Sequence, residues 1–168
     1  MNDIEVKQLT EINTGRASEM MKSFWSVQRY LVRMMHQTAQ TNGITLPQLH
    51  GLMMLHEQGS ITQKELVRRT RMPKSTLSQS IDGLVERGWV CREINPENRR
   101  EVVLELADSG KRFIEQLKQQ EQSTEHQLNL ILSTLDDEVY HHMIEAHHQI
   151  VEGLKEQFSD CEGGCRHD

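Results

Sequence analysis

The chain has 168 residues, a hydrophobic content of 36% and a formal net charge of −6, which suits one globular domain with its own core. No apolar run reaches membrane-spanning length and no basic-then-apolar leader opens the chain, so we expect a cytoplasmic protein without a membrane partner. The charge is uneven, because residues 60–112 contain 11 Lys or Arg against 8 Asp or Glu while the remainder is strongly acidic. The acidic total therefore does not exclude a nucleic-acid partner for the middle of the chain.

Two helices are predicted before this basic segment. The first dozen residues are polar and we expect them to be only partly ordered, whereas apolar residues recur at helical intervals from about Ala17 to Thr41. Asn42-Gly43 ends this long helix. Thr45 with Gln48 then forms a capping box for a second helix, which is predicted to end at Gly59.

Two short helices joined by a tight turn are predicted next. Thr62 and Glu65 form a capping box, and Ile61 can pack on Leu66 as a hydrophobic staple, so a helix is expected from Gln63 to about Thr70. The polar side of this helix carries the cations Lys64, Arg68 and Arg69. Pro73 is predicted as the first-turn proline of a second helix, which runs to Arg87 and stops at Gly88.

The second short helix has the pattern of a DNA-reading helix. Leu77, Ile81, Leu84 and Val85 repeat at helical spacing and fix one face inward. Small polar and amide side chains are left outside near its start, at Lys74, Ser75, Thr76, Ser78 and Gln79. A DNA major groove admits a helix with this kind of exposed start, and such side chains can read base edges.

A β-hairpin with a basic tip is predicted after these helices. The runs 89–94 and 102–106 are apolar or β-branched, and they flank the turn Asn95-Pro-Glu-Asn-Arg-Arg100. Arg99 and Arg100 at a protruding tip can enter a minor groove, where negative potential is concentrated. The alternative is a solvated turn that happens to be basic. Following a helix-turn-helix, the tip is interpreted as the wing of a winged-helix DNA-binding protein.

The order of these motifs resembles the MarR family of bacterial transcription regulators, over about residues 20–155. The segments that carry the resemblance are Thr62-Gln-Lys-Glu-Leu66, Ser75-Thr-Leu-Ser-Gln79, Asp82-Gly-Leu-Val-Glu-Arg-Gly-Trp-Val90, Asn95-Pro-Glu-Asn-Arg-Arg100 and Leu104-Glu-Leu-Ala-Asp-Ser-Gly110. Two positions depart from the family pattern. Asn98 stands where the family usually has an Asp that would brace the wing, and Ala107 replaces a Thr, leaving Asp108 or Ser109 to cap the next helix.

The helices after the wing are predicted to mediate dimerisation. One long, mostly polar helix is expected from Ser109 to Leu132, and Thr134 and Asp137 open a last helix to about Phe158. The first helix and the last two carry apolar stripes that nothing else in the chain can cover. We therefore expect a homodimer in which these helices interlock, and the resemblance implies the same arrangement on a palindromic site.

Histidines and cysteines leave a metal site open as an alternative. Glu138, His141, Glu145 and His148 share one face of the last helix, but other helices supply no complementary ligands, so a solvated or interface face is favoured. In the tail, Cys161, Cys165 and His167 are weak metal candidates against an expected disordered terminus. Cys91, in the first strand of the wing, is expected to be a small buried thiol rather than an oxidant sensor.

Methionines and aromatic residues are concentrated in the first two helices. Most should belong to the core, but the resemblance implies a small-molecule pocket between the dimer helices and the DNA-reading lobe. Flexible Met side chains suit an adaptable apolar pocket. The candidate pocket residues are Trp25, Met34, Met35, Met53 and His56.

The sequence thus predicts a mainly α protein with a small β-hairpin, in which a winged helix-turn-helix is flanked by long terminal dimerisation helices. The expected segments are 1–44 for the tail and first dimerisation helix, 45–106 for the DNA-binding lobe, 107–158 for the C-terminal dimerisation helices and 159–168 for a disordered tail. The expected function is that of a repressor, not an enzyme, that binds double-stranded DNA without a cofactor and is released by a small effector. The alternative is a metal-responsive regulator that uses the His-rich last helix or the Cys/His tail.

Overall fold

The computed structural model describes residues 3–70, 72–96 and 98–162, and the side chains of residues 15–70, 72–96 and 98–158. The described chain is mainly helical, with a small antiparallel sheet, as the sequence predicts. In chain order the elements are α1 (Asp3–Thr41), α2 (Leu46–Gln58), β1 (Ser60–Thr62), α3 (Gln63–Thr70), α4 (Lys74–Glu86), β2 (Val90–Ile94), β3 (Val102–Leu106), α5 (Asp108–Lys118), α6 (Thr124–Leu132) and α7 (Asp137–Glu162).

Within the described residues the chain divides into two compact units, one ending at His126 and the other beginning at Gln127. The core of the first unit is built by α2, α3, α4, the sheet and α5, together with the end of α1. Its largest fully buried apolar side chains are those of Leu52, Leu55, Leu66, Leu77, Ile81, Leu84, Leu104 and Ile114. Each buried leucine contributes roughly 2 kcal/mol of transfer free energy, so this cluster fixes α3 and α4 against α2 and the sheet.

The sheet has three strands, whereas the sequence predicted only the hairpin of β2 and β3. The strand order is β1-β3-β2, and all pairs are antiparallel. In β1, Ile61 lies opposite Leu104, and both side chains are buried. The hairpin is therefore attached to the segment that leads into α3, which holds the wing against the helix-turn-helix.

The long helix predicted from Ser109 to Leu132 is wrong, because the chain forms two helices, α5 and α6, with a break at residues 119–123. Ser123 is fully buried, donates its hydroxyl proton to the carbonyl of Lys118 and accepts the backbone N–H of His126. It thereby caps α6. Asn42, which follows α1, exchanges two amide hydrogen bonds with Gln120 at 2.8–2.9 Å, and this contact holds the break against the end of α1.

Other helix ends differ in detail from the sequence prediction. The first helix begins at Asp3 rather than near Ala17. Ala107, not Asp108 or Ser109, is the N-cap of α5, because the Ser109 hydroxyl donates to the carbonyl of Gly88 instead. The capping box of α2 is confirmed in full by Thr45 and Gln48.

The second unit contains no buried side chain among residues 127–158. Its exposed large apolar residues are Leu130, Ile131, Leu135, Val139, Val151, Leu154 and Phe158. The helical backbone of α7 continues to Glu162, beyond the start of the segment predicted as a tail. No helix among the described residues is both long enough and apolar enough to cross a membrane.

Candidate nucleic-acid interface

Helix α3 begins at Gln63, as its sequence predicts, but only the Thr62 half of the predicted capping box is present, because the Glu65 carboxylate binds Arg68 and Arg69. The backbone N–H of Glu65 donates to the Thr62 hydroxyl at 3.1 Å, which caps the helix start. Ile61 and Leu66 are both buried, in agreement with the predicted staple. This local packing turns the opposite side of α3, with Lys64, Arg68 and Arg69, towards solvent.

Helix α4 buries one face and exposes the other near its start. Pro73 is its N-cap rather than a first-turn residue. Leu77, Ile81 and Leu84 are fully buried, as predicted. Of the polar residues near the start, Lys74, Ser75 and Gln79 are exposed, while Thr76 and Ser78 are half-buried.

The end of α4 directs the chain into the wing. Gly88 has a φ of 69°, and its N–H donates to the carbonyl of Val85 at 2.8 Å. The N–H of Trp89 donates to the carbonyl of Leu84 at 3.0 Å. These two bonds form a Schellman motif, which needs a left-handed residue and therefore favours glycine here. Gly88 thus ends α4, as the sequence predicts.

The wing turn is braced by the residue that departs from the family pattern. The Asn98 side-chain oxygen accepts the backbone N–H of Arg100 at 3.2 Å, and Glu101 donates its N–H to the Asn98 carbonyl at 2.8 Å. An Asx turn of this kind needs only an oxygen acceptor, which asparagine and aspartate both supply. The side chains of Arg99 and Arg100 are exposed at the tip.

Three of the predicted DNA-contacting cations come from three different elements and line one cleft. Lys64 of α3, Lys74 of α4 and Arg100 of the wing contribute to a cleft of about 480 Å³. The other residues that line it are Gln63, Val67, Glu101 and Val102. Among the described residues, no carboxylate forms an ion pair with these three cations. The cleft therefore brings three cations together with one carboxylate, that of Glu101, and its lining is net positive.

Unlike Lys64, Lys74 and Arg100, both Arg68 and Arg69 form ion pairs with the carboxylate of Glu65. Arg68 forms a bidentate pair through Nε and Nη2 at 2.7 and 2.8 Å, and Arg69 binds through Nε at 2.7 Å. Hydrogen bonds from Arg68 and then Arg69 lower the pKa of Glu65 from 4.5 to about 2. The spacing of three and four residues along a helix is the signal from which this cluster could have been predicted.

An ion pair that the sequence analysis missed joins the wing to α4. The Arg92 guanidinium donates to the Asp82 carboxylate at 2.6 Å, so β2 is tied directly to α4. The two residues are ten positions apart and lie on different kinds of element. No local spacing rule indicates such a pair, and only the folded chain brings the two side chains together.

The five residues predicted to form a ligand pocket occupy different environments. Met35 and Met53 pack against the core of the first unit, and Met34 is half-buried. Trp25 is 59% exposed. His56 lines a cleft of about 300 Å³ that contains none of the other four residues; the remaining lining residues are Leu55, Gly59, Glu105, Leu106, Lys111 and Glu115.

Cys91 is exposed, so the prediction of a buried thiol is wrong. Neighbouring side chains of a strand point to opposite faces, and Val90 takes the buried position. Among the described residues, no group of three or more His, Cys, Asp or Glu side chains could hold a metal ion. His141 instead places its Nδ1 2.6 Å from the carbonyl of Asp137. The side chains of Cys161, Cys165 and His167 lie outside the described residues.

Residues 44–102 match the family model described as the MarR family. A curated relative, the HTH-type transcriptional repressor YetL of Bacillus subtilis (strain 168), is 26% identical over 100 residues, which cover 58% of this chain and 60% of the repressor. The chain thus spans less than two thirds of the length of that relative.

Solved structures of similar fold cover more of the chain. A MarR transcriptional regulator from Methanosarcina mazei Go1 has a TM-score of 0.68 at 24% identity, covering 82% of this chain and 98% of that one. A structure of reduced AbfR bound to DNA has a TM-score of 0.62 at 22% identity, covering 89% of this chain and 99% of that one. At these identities the likeness establishes the fold, which is that of MarR-family winged-helix proteins.

Proposed function

We propose that the chain is a MarR-family protein, since that family model matches residues 44–102, and that it regulates transcription by binding double-stranded DNA. The observation that carries the proposal is the cleft where Lys64, Lys74 and Arg100 converge beside the exposed start of α4. Unpaired cations placed along one surface are what a phosphate backbone binds, with release of its counterions. The family is one of DNA-binding regulators rather than enzymes.

Each part of the interface has a separate role in this proposal. The exposed start of α4 would read base edges in the major groove through Lys74, Ser75, Thr76, Ser78 and Gln79. The wing would place Arg99 and Arg100 in the adjacent minor groove. Lys64, Arg68 and Arg69 on α3 would lie along the phosphates, because the first helix of a helix-turn-helix crosses the backbone.

We propose that the DNA-binding form is a homodimer on a palindromic operator. The support is the apolar surface that a single chain leaves exposed, both on α1 at Trp25, Val27 and Tyr30 and on α7 at Val139 and Leu154. Large exposed apolar patches mark protein interfaces. A two-fold dimer presents two copies of α4, which match two half-sites about one helical turn apart.

Repression and release by a small effector complete the proposal. The curated relative YetL is a repressor, and a regulator of chromosomal DNA acts in the cytoplasm. The proposed effector binds an adaptable apolar site near Trp25, Met34, Met35, Met53 and His56 and alters the spacing of the two reading helices. His56 lines a cleft of about 300 Å³ without the other four residues, so the proposed site gathers them as the effector binds.

Selection of bound DNA from a random pool tests this function. We expect the wild-type protein to enrich a palindromic motif, and Gln79→Ala to lose preference at one position per half-site, at a cost of about 1–3 kcal/mol for that base pair. Glu86→Gln, at the far end of α4, should enrich the wild-type motif. Enrichment of no motif by the wild type would contradict the proposed function, and an identical motif from Gln79→Ala would remove Gln79 from the reading surface.

A further inference from the structure

The carboxylate of Glu65 binds both arginines of α3 at once. Its Oε2 accepts from Arg68 Nε, and its Oε1 accepts from Arg68 Nη2 and Arg69 Nε, all at 2.7–2.8 Å. Arg69 is held again from the other side, where its Nη1 donates to the side-chain oxygen of Gln58 at 2.6 Å. The two guanidinium groups therefore give four of their N–H donors to acceptors within the protein.

Exposure shows how this cluster faces solvent. The side chains of Arg68 and Arg69 are 77% and 41% exposed, whereas that of Glu65 is 27% exposed beneath them. A phosphate reaching this part of α3 meets the arginines first, but three of their N–H donors already bind the Glu65 carboxylate and a fourth binds Gln58. With two positive charges and one negative charge, the cluster presents a net charge of about +1.

The pairing persists throughout the range in which DNA binding is measured. Because the pKa of Glu65 is lowered to about 2, its carboxylate is charged at any pH near neutrality. Lys64, Lys74 and Arg100 have no ion pair with a carboxylate among the described residues. The interface thus contains both cations in the cleft without such an ion pair and two arginines on α3, Arg68 and Arg69, that are already paired with the Glu65 carboxylate.

We propose that Glu65 limits the affinity of the protein for DNA by competing with phosphate for the Arg68 and Arg69 donors. The proposal rests on the proposed function, in which α3 lies along the DNA backbone. A phosphate contact releases counterions only to the extent that the protein cation carries uncompensated charge. Glu65 therefore weakens the part of binding that does not depend on base sequence, and restrains the protein on unrelated DNA.

Glu65→Gln is the decisive variant because it removes the charge and keeps the size of the side chain. The backbone N–H of residue 65 still donates to the Thr62 hydroxyl, so the start of α3 keeps its cap. Glu86→Gln is the matched control, since Glu86 is exposed in the same lobe and has no ion pair among the described residues. Both variants change the net charge equally, so general attraction to DNA rises equally in both.

The measurement is the dissociation constant for a selected duplex and for an unrelated duplex of equal length, over a series of salt concentrations. Glu65→Gln should bind both duplexes more tightly than Glu86→Gln, by on the order of tenfold at 0.1 M salt, with a log–log salt slope steeper by about 1 per contacting protomer. Adding Arg68→Gln should remove most of this gain, because the two substitutions act on one contact.

The outcomes separate this inference from the proposed function. If the wild type binds neither duplex, the proposed function itself fails. If the wild type binds but Glu65→Gln has the affinity and salt slope of Glu86→Gln, or binds more weakly, Glu65 does not limit affinity. A thermal melt of each variant shows whether a variant that binds more weakly is unfolded or is folded with an intact surface. Weaker binding of Glu65→Gln overturns the inference in either case.

Discussion

At the scale of single residues, Arg100 at the wing tip is the cation whose role is easiest to isolate. Its side chain is exposed, and it lines the basic cleft with Lys64 and Lys74. Arg100→Ala should weaken binding to all duplexes and make the log–log salt slope shallower by about 1, because one phosphate or groove contact is lost. Fluorescence anisotropy over a salt series measures both effects.

Arg112→Ala is the control for this experiment, because Arg112 is an exposed arginine on α5, outside the cleft. We expect its salt slope to match that of the wild type. Equal slopes for all three proteins would show that the wing tip does not touch DNA. Loss of preference at one base position alone would assign Arg100 to base reading.

At the scale of elements, the approach of α5 to the start of the wing depends on Gly110. The carbonyl of Trp89 accepts the N–H of Ala107 at 3.0 Å, and a Cβ on residue 110 would lie 2.2 Å from the same oxygen. Gly110→Ala must therefore move α5 away from the wing. We expect a loss of about 1–3 kcal/mol in the free energy of unfolding, the usual cost of overpacking.

Gly153→Ala is the matched control for this prediction, because a Cβ at that position of α7 meets no atom within 4 Å. The same substitution there should raise stability by about 0.5–1 kcal/mol, since alanine favours a helix over glycine. Urea unfolding at one protein concentration compares the two variants. Equal effects at both positions would mean that Gly110 is not needed for close approach.

The sequence predicts the elements whose signals are local and fails where distant contacts decide. The capping box of α2, the start of α3 and the glycine stop of α4 follow from spacing within a few residues, and each is present. The break before α6 was missed because Gln119 to Gln122 favour a helix by propensity, whereas the buried Ser123 and the pairing of Gln120 with Asn42 depend on the folded chain. Strand β1 was missed because only its pairing with β3 defines it.

The candidate site follows the same rule. The faces of α4 and the tip of the wing come from helical periodicity and turn composition, and the structure exposes Lys74, Ser75, Gln79, Arg99 and Arg100. Helical periodicity does not indicate which of these cations form ion pairs. Whether a guanidinium is free or paired depends on its neighbours in space, as the pair of Arg92 with Asp82 shows.

At the scale of the whole molecule, the proposed dimer can be tested on α1, where Trp25 and Tyr30 are 59% and 60% exposed. Trp25→Glu should place a charge in the interface and convert the dimer to monomer, because burying an unpaired carboxylate is costly. Affinity for the selected palindrome should fall with it, since two half-sites no longer bind together. Sedimentation velocity gives the mass, and anisotropy gives the affinity.

Gln28→Glu adds the same charge to an exposed polar position of the same helix and serves as the control. It should remain dimeric and bind DNA nearly as the wild type does. A wild type that sediments as a monomer at the concentration used for DNA binding would contradict the proposed dimer. A dimeric Trp25→Glu protein would move the interface away from this part of α1.

The two tryptophans of the chain lie in contrasting surroundings, and this gives the protein two separate optical signals. Trp89 stacks on Phe113 with ring centroids 4.0 Å apart and carries the Arg87 guanidinium 5.1 Å from its own ring centre. Trp25 is mostly in contact with water, where indole emission is shifted to longer wavelengths. Unfolding of the winged lobe should therefore shift the emission of Trp89 to longer wavelengths. Association through α1 should shift the emission of Trp25 to shorter wavelengths. Unfolding and dimerisation therefore move the emission spectrum in opposite directions.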